Sequence, residues 1–296
     1  MLPDHGCVKK QLAWNRIAFK IPEAWEIESL DYTHLIVSED GNPKIEIKWT
    51  ESPKSFTLEK HLKKIISRSQ KLLNIKIRKQ STPDFFLHSL PGFDFFFFSW
   101  ESPSSKGAGT LIFCSHCRRV TLIRFFSNLD LTPNSIPHLV LTSFTDHPLT
   151  GHVPWHLFGM EFSTPMQFTL SDYSFKPGYF FVKLLYHKIH LTVLSWGPAS
   201  FLLSGKTLPE FAKDWVPGLK GFATAETSDR GSYLEWSYRQ GPFKNAGSLP
   251  FFSRYMRFTL FRLLQDTQNN RIYGVKIDSP ETFEIELMKG TIINGS

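Results

Sequence analysis

The chain has 296 residues, of which 41% are hydrophobic, and a formal net charge of +7. This composition is typical of a globular protein with ample apolar area for a core, and the charge permits anionic partners without requiring them. Three cysteines are too few for a disulfide framework, and the apolar run at 94–98 is far shorter than a membrane-spanning helix. The first residues contain no apolar segment of signal-peptide length, so we expect a cytoplasmic protein.

Hydrophobic periodicity predicts the elements of the first half in chain order. Alternation of apolar and polar residues predicts a strand at 14–21, which Pro22 ends, and further strands near 33–38 and 44–49. Apolar residues at helical spacing predict a helix over 57–73. The remaining pattern predicts four more strands and a last helix, at 75–79, 93–100, 109–114, 119–126 and 135–144.

The second half of the chain repeats the first. Lys106–Phe113 returns as Lys244–Phe251 after a shift of 138 residues, and with small gaps the match extends to the start of each half. Self-similarity at a fixed shift indicates a duplicated structural unit. We therefore predict two tandem domains, 1–148 and 149–296, each an α+β fold in which helices cover one face of an antiparallel sheet. The last helix of the second copy is expected to begin at 279–280.

A short opening motif carries a resemblance to a known fold. Phe19-x-Ile21-Pro22-x-x-Trp25 is followed by the pattern of a hairpin, a helix, a meander of long strands and a final helix. This order resembles the PsbP/Mog1/DcrB-like fold, and a degraded copy of the motif stands in the second half at Met160, Phe162, Pro165 and Phe168. The resemblance implies an accessory or binding role, because members of that group serve as photosystem extrinsic subunits, nuclear-transport cofactors and envelope lipoproteins. It transfers no catalytic site.

The first helix carries a run of basic residues. Its members are Lys60, Lys63, Lys64, Arg68 and Lys71, and the run continues in Lys76, Arg78 and Lys79. Such residues bind nucleic-acid phosphates, anionic lipid head groups or an acidic protein, or they form the solvated face of an amphipathic helix. The matching stretch of the second copy, 211–220, is not basic. Such an asymmetry can mark a task acquired by one copy.

Basic residues also recur at matching positions of the two copies. These are Lys106, Arg119 and Arg124 in the first copy and Lys244, Arg257 and Arg262 in the second. A basic pocket common to both copies is one interpretation. We favour structural roles, in which the guanidinium groups lie over the sheet or pair with carboxylates.

Cys114-Ser-His-Cys117 is a Cys-x-x-Cys motif at the expected turn between two strands. Thiolates at this spacing can bind zinc, and Cys7 with His5 would complete a set of four ligands. A redox pair is a further alternative. A structural zinc site commonly has two such motifs, however, and the sequence contains one.

The second copy argues against a metal site at this motif. The positions of the two cysteines are occupied there by Phe252 and Tyr255, which indicates ordinary packing sites, where cysteine behaves as a small apolar residue. We therefore predict no metal and no cofactor. The segment at 146–156, which joins the copies, contains three histidines and Asp146, but its proline and glycine content is typical of a linker with solvated side chains.

Three classes of function remain. The first is a non-catalytic accessory or interaction protein that binds a protein partner through its duplicated domains, to which the many aromatic residues are suited. The second is a binder of nucleic acid or an anionic surface through residues 57–79. The third is an enzyme with a pocket between the two copies, although no spacing selects a nucleophile and its base. We favour the first class.

Overall fold

The computed structural model describes residues 9–82, 92–126, 132, 135–148, 151–215, 233–240 and 257–280. Of these residues, 57% lie in strands and 16% in helices. The predicted α+β class is therefore wrong: the protein is mostly β, and its antiparallel sheets are not covered by a layer of helices. No helix in the described ranges is long and apolar enough to cross a bilayer. Contacts divide the chain into two compact units, Met1–Thr150 and Gly151–Ser296.

The described residues of the first unit form nine strands and two helices. Its strands are β1 (Lys9–Trp14), β2 (Ile17–Pro22), β3 (Glu26–Asp31), β4 (His34–Glu39), β5 (Asn42–Glu51), β6 (Lys76–Lys79), β7 (Phe93–Glu101), β8 (Lys106–Cys114) and β9 (Arg119–Phe125). Its helices are α1 (Leu58–Leu73) and α2 (Ile136–Thr142). Seven strands form an antiparallel sheet in the order β3-β4-β5-β9-β8-β7-β6, and β1 pairs with β2 in a hairpin.

The hairpin β1–β2 replaces the single strand expected at 14–21. Asn15 and Arg16 have positive φ angles of 45° and 77°, and the chain reverses at these two residues. Such a two-residue turn matches the right-handed twist of paired strands. Trp14 and Ile17, on either side of the turn, are both fully buried. Hydrophobicity alone therefore does not mark the reversal.

Helix α1 covers part of one face of the seven-stranded sheet. Its buried residue Leu62 packs with Leu111 of β8 and Val120 of β9, among partly buried apolar neighbours that include Ile65 and Ile66. The 16-residue helix is about 24 Å long and about 10 Å wide, whereas seven strands at about 4.8 Å spacing extend over about 29 Å. One helix of this size leaves much of the face uncovered, which is why a helix-covered sandwich does not form.

Two glycines let aromatic rings lie directly on this sheet. Gly107 and Gly109 of β8 face Trp100 and Phe98 of the neighbouring strand β7. A Cβ atom at Gly109 would lie 2.5 Å from the Phe98 ring, and one at Gly107 would lie 3.0 Å from the Trp100 indole. Both approaches are closer than ordinary contacts, so the strand requires glycine at each position.

The second unit has its own antiparallel sheet. Its strands are β10 (His152–Leu157), β11 (Met160–Pro165), β12 (Thr169–Lys176), β13 (Tyr179–Tyr186), β14 (Ile189–Trp196), β15 (Tyr233–Gln240), β16 (Arg257–Asp266) and β17 (Arg271–Ser279). Its helices are α3 (Ala199–Leu202) and α4 (Leu208–Trp215). The sheet order is β12-β13-β14-β17-β16-β15, and β10 pairs with β11 in a hairpin. The last helix expected in this copy falls on residues outside those described.

The two units share one order of elements. Each has a hairpin, then three strands in a meander, then a helical segment, and then strands that extend the same sheet. The third meander strand pairs with the last described strand of the unit in both, as β5 with β9 and as β14 with β17. The shared order is compatible with a duplication, which stays a prediction.

Truncation of Leu62 tests the packing of α1. We expect Leu62→Ala to lower the free energy of unfolding by about 2–5 kcal/mol, because it leaves a cavity between the helix and the sheet. Leu72 on the same helix is 78% exposed. Leu72→Ala is therefore the matched control, with an expected change within about 0.5 kcal/mol. Urea denaturation measures both values, and equal losses in the two variants would contradict a buried Leu62.

Candidate functional site

The basic residues of α1 lie together on one exposed side of the helix. All five members, Lys60, Lys63, Lys64, Arg68 and Lys71, are exposed, whereas Leu62 on the opposite side is buried. At the helical rotation of about 100° per residue, the five fall within an arc of about 140°. Lys63 forms an ion pair with Glu59 at 3.1 Å, but both side chains are more than two-thirds exposed, so water screens the pair. The side of the helix that faces water is therefore strongly positive.

The basic run continues onto strand β6, at the edge of the sheet. Asn74 ends α1 in the left-handed conformation, with φ 51°, and leads the chain directly into the strand. Lys79 lies on the side of the sheet that α1 covers, with Nζ 4.2 Å from the centre of the Phe96 ring. Lys76 and Arg78 point to the other side, because side chains alternate along a strand. β6 is last in the sheet order, and among the described residues no strand pairs with its outer edge.

A cavity of about 280 Å³ opens beside β6. Its lining residues are Lys76, Arg78, Ser99, Trp100, Glu101, Lys106 and Gly107. Glu101 stands opposite Lys76 on one neighbouring strand and Lys106 on the other. Three cations against one carboxylate make the cavity positive, so it suits an anionic group.

The longer of the two helices that follow the meander in the second unit, α4, is not basic. Its segment, 208–215, carries Lys213 as its one cation beside Glu210 and Asp214. The Nζ atom of Lys206, just before this helix, also pairs with Asp214 at 2.6 Å. The positive surface is therefore a property of the first unit's helix and not of the shared order of elements.

The other predicted basic positions do not converge on one pocket in the first unit. Lys106 begins β8 and Arg119 begins β9, at opposite ends of their ladder, which places them more than about 20 Å apart. Arg124 binds Glu46. In the second unit, Arg262 pairs with Glu235 of the adjacent strand, with Nη2 and Oε2 2.6 Å apart.

The two arginines aligned by the repeat hold different places in their sheets. Arg124 lies on β9, between β5 and β8, whereas Arg262 lies on β16, between β17 and β15. By sheet order, the strand that corresponds to β9 is β17. Of the remaining aligned residues, Lys244 and the side chain of Arg257 lie outside the described part of the chain.

Glu46 is a buried carboxylate at the centre of a charge network. Its side chain is 5% exposed, and its carboxylate lies 2.7 Å from Nζ of Lys48, 2.5 Å from Nε of Arg124 and 3.0 Å from Nε2 of His34. The Arg124 guanidinium also lies 5.3 Å from the centre of the Trp100 ring. Burial by itself raises the pKa of Glu46, but the hydrogen bonds and charges of Lys48 and Arg124 outweigh it and leave the pKa below its usual value. Arg124 thus has a structural partner.

The Cys-x-x-Cys motif contacts residues of the segment 146–156, whose proline and glycine content predicts a linker with solvated side chains. Cys117 Sγ lies 3.1 Å from Asp146 Oδ2, and Cys114 Sγ lies 3.6 Å from His147 Nδ1. The same His147 atom lies 2.6 Å from Asp146 Oδ1. Burial, with the hydrogen bond and charge of Asp146, raises the pKa of the Cys117 thiol to about 12. The sequence contains both groups, but 29 residues separate Cys117 from Asp146, so only the fold brings them together.

The remaining candidate ligands do not join this cluster in the described part of the chain. Cys7 and His5 lie outside the described residues. His156, from the same segment as His147, instead pairs with Glu161 across the β10–β11 hairpin, with Nδ1 and Oε1 2.9 Å apart.

Comparison with known proteins identifies no family, because no family model and no curated protein matches the chain. Two similar solved structures are of the immunity protein TplEi of T6SS from Pseudomonas aeruginosa, one complexed with "L" peptide and one apo. Their identities to this chain are 8% and 9%, and the TM-score is 0.32 for each. The matches cover 92% and 95% of this chain and 89% and 93% of theirs. A likeness at this TM-score carries no functional argument, and the PsbP/Mog1/DcrB-like resemblance stays a prediction.

Removal of the Glu46 charge tests the buried network. Because its pKa is lowered in the folded protein, Glu46 contributes fully to stability above the ordinary glutamate pKa of about 4.3, and this contribution is lost as the pH falls through the lower folded pKa. We expect Glu46→Gln to lower the free energy of unfolding at pH 7 by about 3 kcal/mol, because Arg124 loses its partner. The difference from the parent protein should shrink below pH 4.

Glu39→Gln is the control for this pH dependence. Glu39 pairs with Lys44 at 2.9 Å, but its side chain is 38% exposed, so the loss should stay within about 1 kcal/mol at every pH. Denaturant titrations from pH 7 to pH 3 measure both variants. A loss for Glu46→Gln that stays constant over this range would contradict the role of its charge.

Proposed function

We propose that this protein is a non-catalytic interaction protein whose first unit binds an acidic segment of a protein partner. The binding surface, called the basic surface below, consists of Lys60, Lys63, Lys64, Arg68 and Lys71 of α1 and Lys76, Arg78 and Lys79 of β6. The observation that carries the proposal is this set of eight exposed cations, on a helix and on the edge strand that follows it.

The fold gains nothing from so many like charges. Lys60, Lys64 and Arg68 follow one another at a spacing of four residues, and like charges at this spacing destabilise a helix by a few tenths of a kcal/mol per pair. Residues 58–79 contain Glu59 as their one acid. The packing of Leu62 already fixes the helix without help from these charges. A binding role accounts for a charge pattern that has a cost for stability.

The edge position of β6 favours a protein over a nucleic acid or a membrane. An edge strand exposes a row of backbone N–H and C=O groups, and an extended peptide can pair with them as an added strand. Nucleic acids and lipid head groups offer phosphates but no such ladder. Because Lys76 and Arg78 point to one side of the sheet and Lys79 to the other, an added strand with acidic residues would meet cations on both sides. An acidic side chain on the first side can enter the cavity beside Lys106.

Reversal of three charges tests the basic surface. We expect the variant Lys63→Glu/Lys64→Glu/Arg68→Glu to bind an acidic peptide at least about tenfold more weakly, because repulsion replaces attraction. Its free energy of unfolding should change by no more than about 0.5 kcal/mol per site, since all three side chains are exposed. Binding by the parent protein should weaken from 50 to 500 mM salt.

The second unit offers a control with the same change of net charge. Lys176, Lys188 and Lys213 are also exposed, and their reversal to Glu should leave peptide binding within about twofold of the parent value. Equal weakening in the two triple variants would mean that only net charge matters, and the basic surface would then not be the site.

The choice of probe separates a protein partner from other anions. Titration calorimetry compares an eight-residue peptide that alternates Glu and Val with a peptide of the same composition in which the four Glu residues come first. Pairing with β6 favours the alternating peptide, because all four of its Glu side chains can lie on the side of Lys79 and the cations of α1, whereas the second peptide divides its Glu side chains between the two sides. A duplex oligonucleotide or an anionic vesicle that binds more tightly than either peptide would overturn the proposal.

A further inference from the structure

Four side chains of the first unit surround one small volume near the turn between β8 and β9. They are Cys114, Cys117, Asp146 and His147, and their possible ligand atoms all lie within 4.8 Å of one another. Contrary to the sequence prediction of no metal, we propose that these four residues bind one zinc ion, to which each contributes one atom. The site is separate from the basic surface, because Cys114 ends β8 whereas the cavity beside β6 adjoins Lys106 at the start of that strand.

Backbone contacts hold the two halves of the site in place without a metal. Cys114 is the last residue of β8, so the Cys-x-x-Cys motif occupies the turn that leads into β9. Just before Asp146, Thr145 exchanges two backbone hydrogen bonds with Ala18 of β2, at 2.9 and 2.8 Å. The side chain of Arg119 donates from Nη1 to the carbonyl oxygen of Asp146, which ties the second segment to the start of β9.

Two distances between candidate ligand atoms are close to those of a tetrahedral zinc ion, which would take the place of the 2.6 Å contact between His147 Nδ1 and Asp146 Oδ1. With zinc–sulfur and zinc–nitrogen bonds of about 2.3 and 2.0 Å, a tetrahedral site holds sulfur and nitrogen about 3.5 Å apart. The observed distance between Cys114 Sγ and His147 Nδ1 is 3.6 Å. Cys117 Sγ and Asp146 Oδ2 are 3.1 Å apart, and a movement of a few tenths of an ångström would admit the ion between them.

The chemistry of the four groups selects zinc among the common divalent cations. Magnesium and calcium take oxygen ligands, whereas two sulfurs, one imidazole and one carboxylate are ligand types that zinc takes. The Asp146 side chain is 1% exposed, and a carboxylate so buried requires a cationic or hydrogen-bonding partner.

Charge balance at the site also suits a divalent cation. On binding, each thiol releases its proton to solvent, so two thiolates and one carboxylate around Zn²⁺ leave a net charge of about −1. Arg119 and Arg16, which interacts electrostatically with Cys117, provide positive charge nearby.

A closed set of four protein ligands has a structural rather than a catalytic role. The ion would cross-link the β8–β9 turn to the chain that leaves α2, and so join the sheet to the end of the first unit. The two alternatives are a disulfide between Cys114 and Cys117 and a cluster of thiols beside an Asp146–His147 ion pair. Neither of them binds a metal, so metal titration separates them from the proposal.

Titration of the full chain with Co²⁺ tests the site directly. The protein is purified with a chelator and a reductant, and both are removed before cobalt is added. We expect one Co²⁺ per chain with the visible absorption of a tetrahedral ion and the near-ultraviolet absorption of thiolate bound to cobalt. One equivalent of Zn²⁺ should remove both bands and raise the Tm. Cobalt uptake without tetrahedral and thiolate bands, or no uptake at all, would overturn the proposal without any variant.

Variants then identify the ligands. Cys117→Ser should roughly halve the thiolate band and weaken zinc binding at least about tenfold. His147→Ala should weaken zinc binding by a similar factor but leave the thiolate band unchanged. Cys7→Ser is the matched control and should change neither value. If Cys7→Ser costs as much affinity as Cys117→Ser, the site uses Cys7, and the ligand set proposed here is wrong. Unchanged binding in both Cys117→Ser and His147→Ala would also contradict it.

Discussion

The packing of Leu62 against the sheet is the contact on which the surface of the first unit depends. It fixes the rotation of α1, because the apolar stripe must face β8 and β9 and the five cations of the helix must then face water. At the end of the helix, Asn74 turns the chain and Ile75 is buried beside Phe98 and Trp100. β6 therefore begins at the edge of the sheet, where Lys79 lies on the side of the helix and Lys76 and Arg78 lie on the other side. Two neighbouring apolar clusters, one around Leu62 and one around Ile75, thus set the position of the basic surface.

The two units have different residues at one corresponding cross-strand pair of their sheets. The third meander strands, β5 and β14, carry Trp49 and Trp196 near their ends. Three residues before its tryptophan, β5 has Glu46 opposite Arg124, whereas β14 has Val193 opposite Val275. An apolar pair fills such a place without the desolvation of charges, and exchange of a buried ion pair for apolar residues is often neutral or stabilising. The first unit therefore has charged residues, both in its interior and on α1, at positions where the shared order of elements does not require them.

The sequence predicts the elements whose signal is local and misses those that depend on distant contacts. The helix expected at 57–73 is α1, because its apolar stripe lies within one segment. Strand β3 was not expected, since Glu26–Asp31 is largely polar and forms the edge of the sheet. The α+β class was wrong because a count of helices does not show how much of a sheet they cover. The motif at Cys114 and Cys117 was visible, but its approach to Asp146 depends on the pairing of Thr145 with β2 and not on any local pattern.

Amide hydrogen exchange of β6 in the presence of the alternating Glu–Val peptide is the most direct test of an added strand at the basic surface. Backbone pairing slows exchange at the strand itself, whereas simple attraction between charges does not. We predict that the amides of Lys76–Lys79 that point away from β7 gain protection when the peptide is saturating, and that those in the centre of α1, which are already bonded within the helix, change little. Unchanged exchange in β6 under saturating peptide, or protection confined to the second unit, would contradict the account.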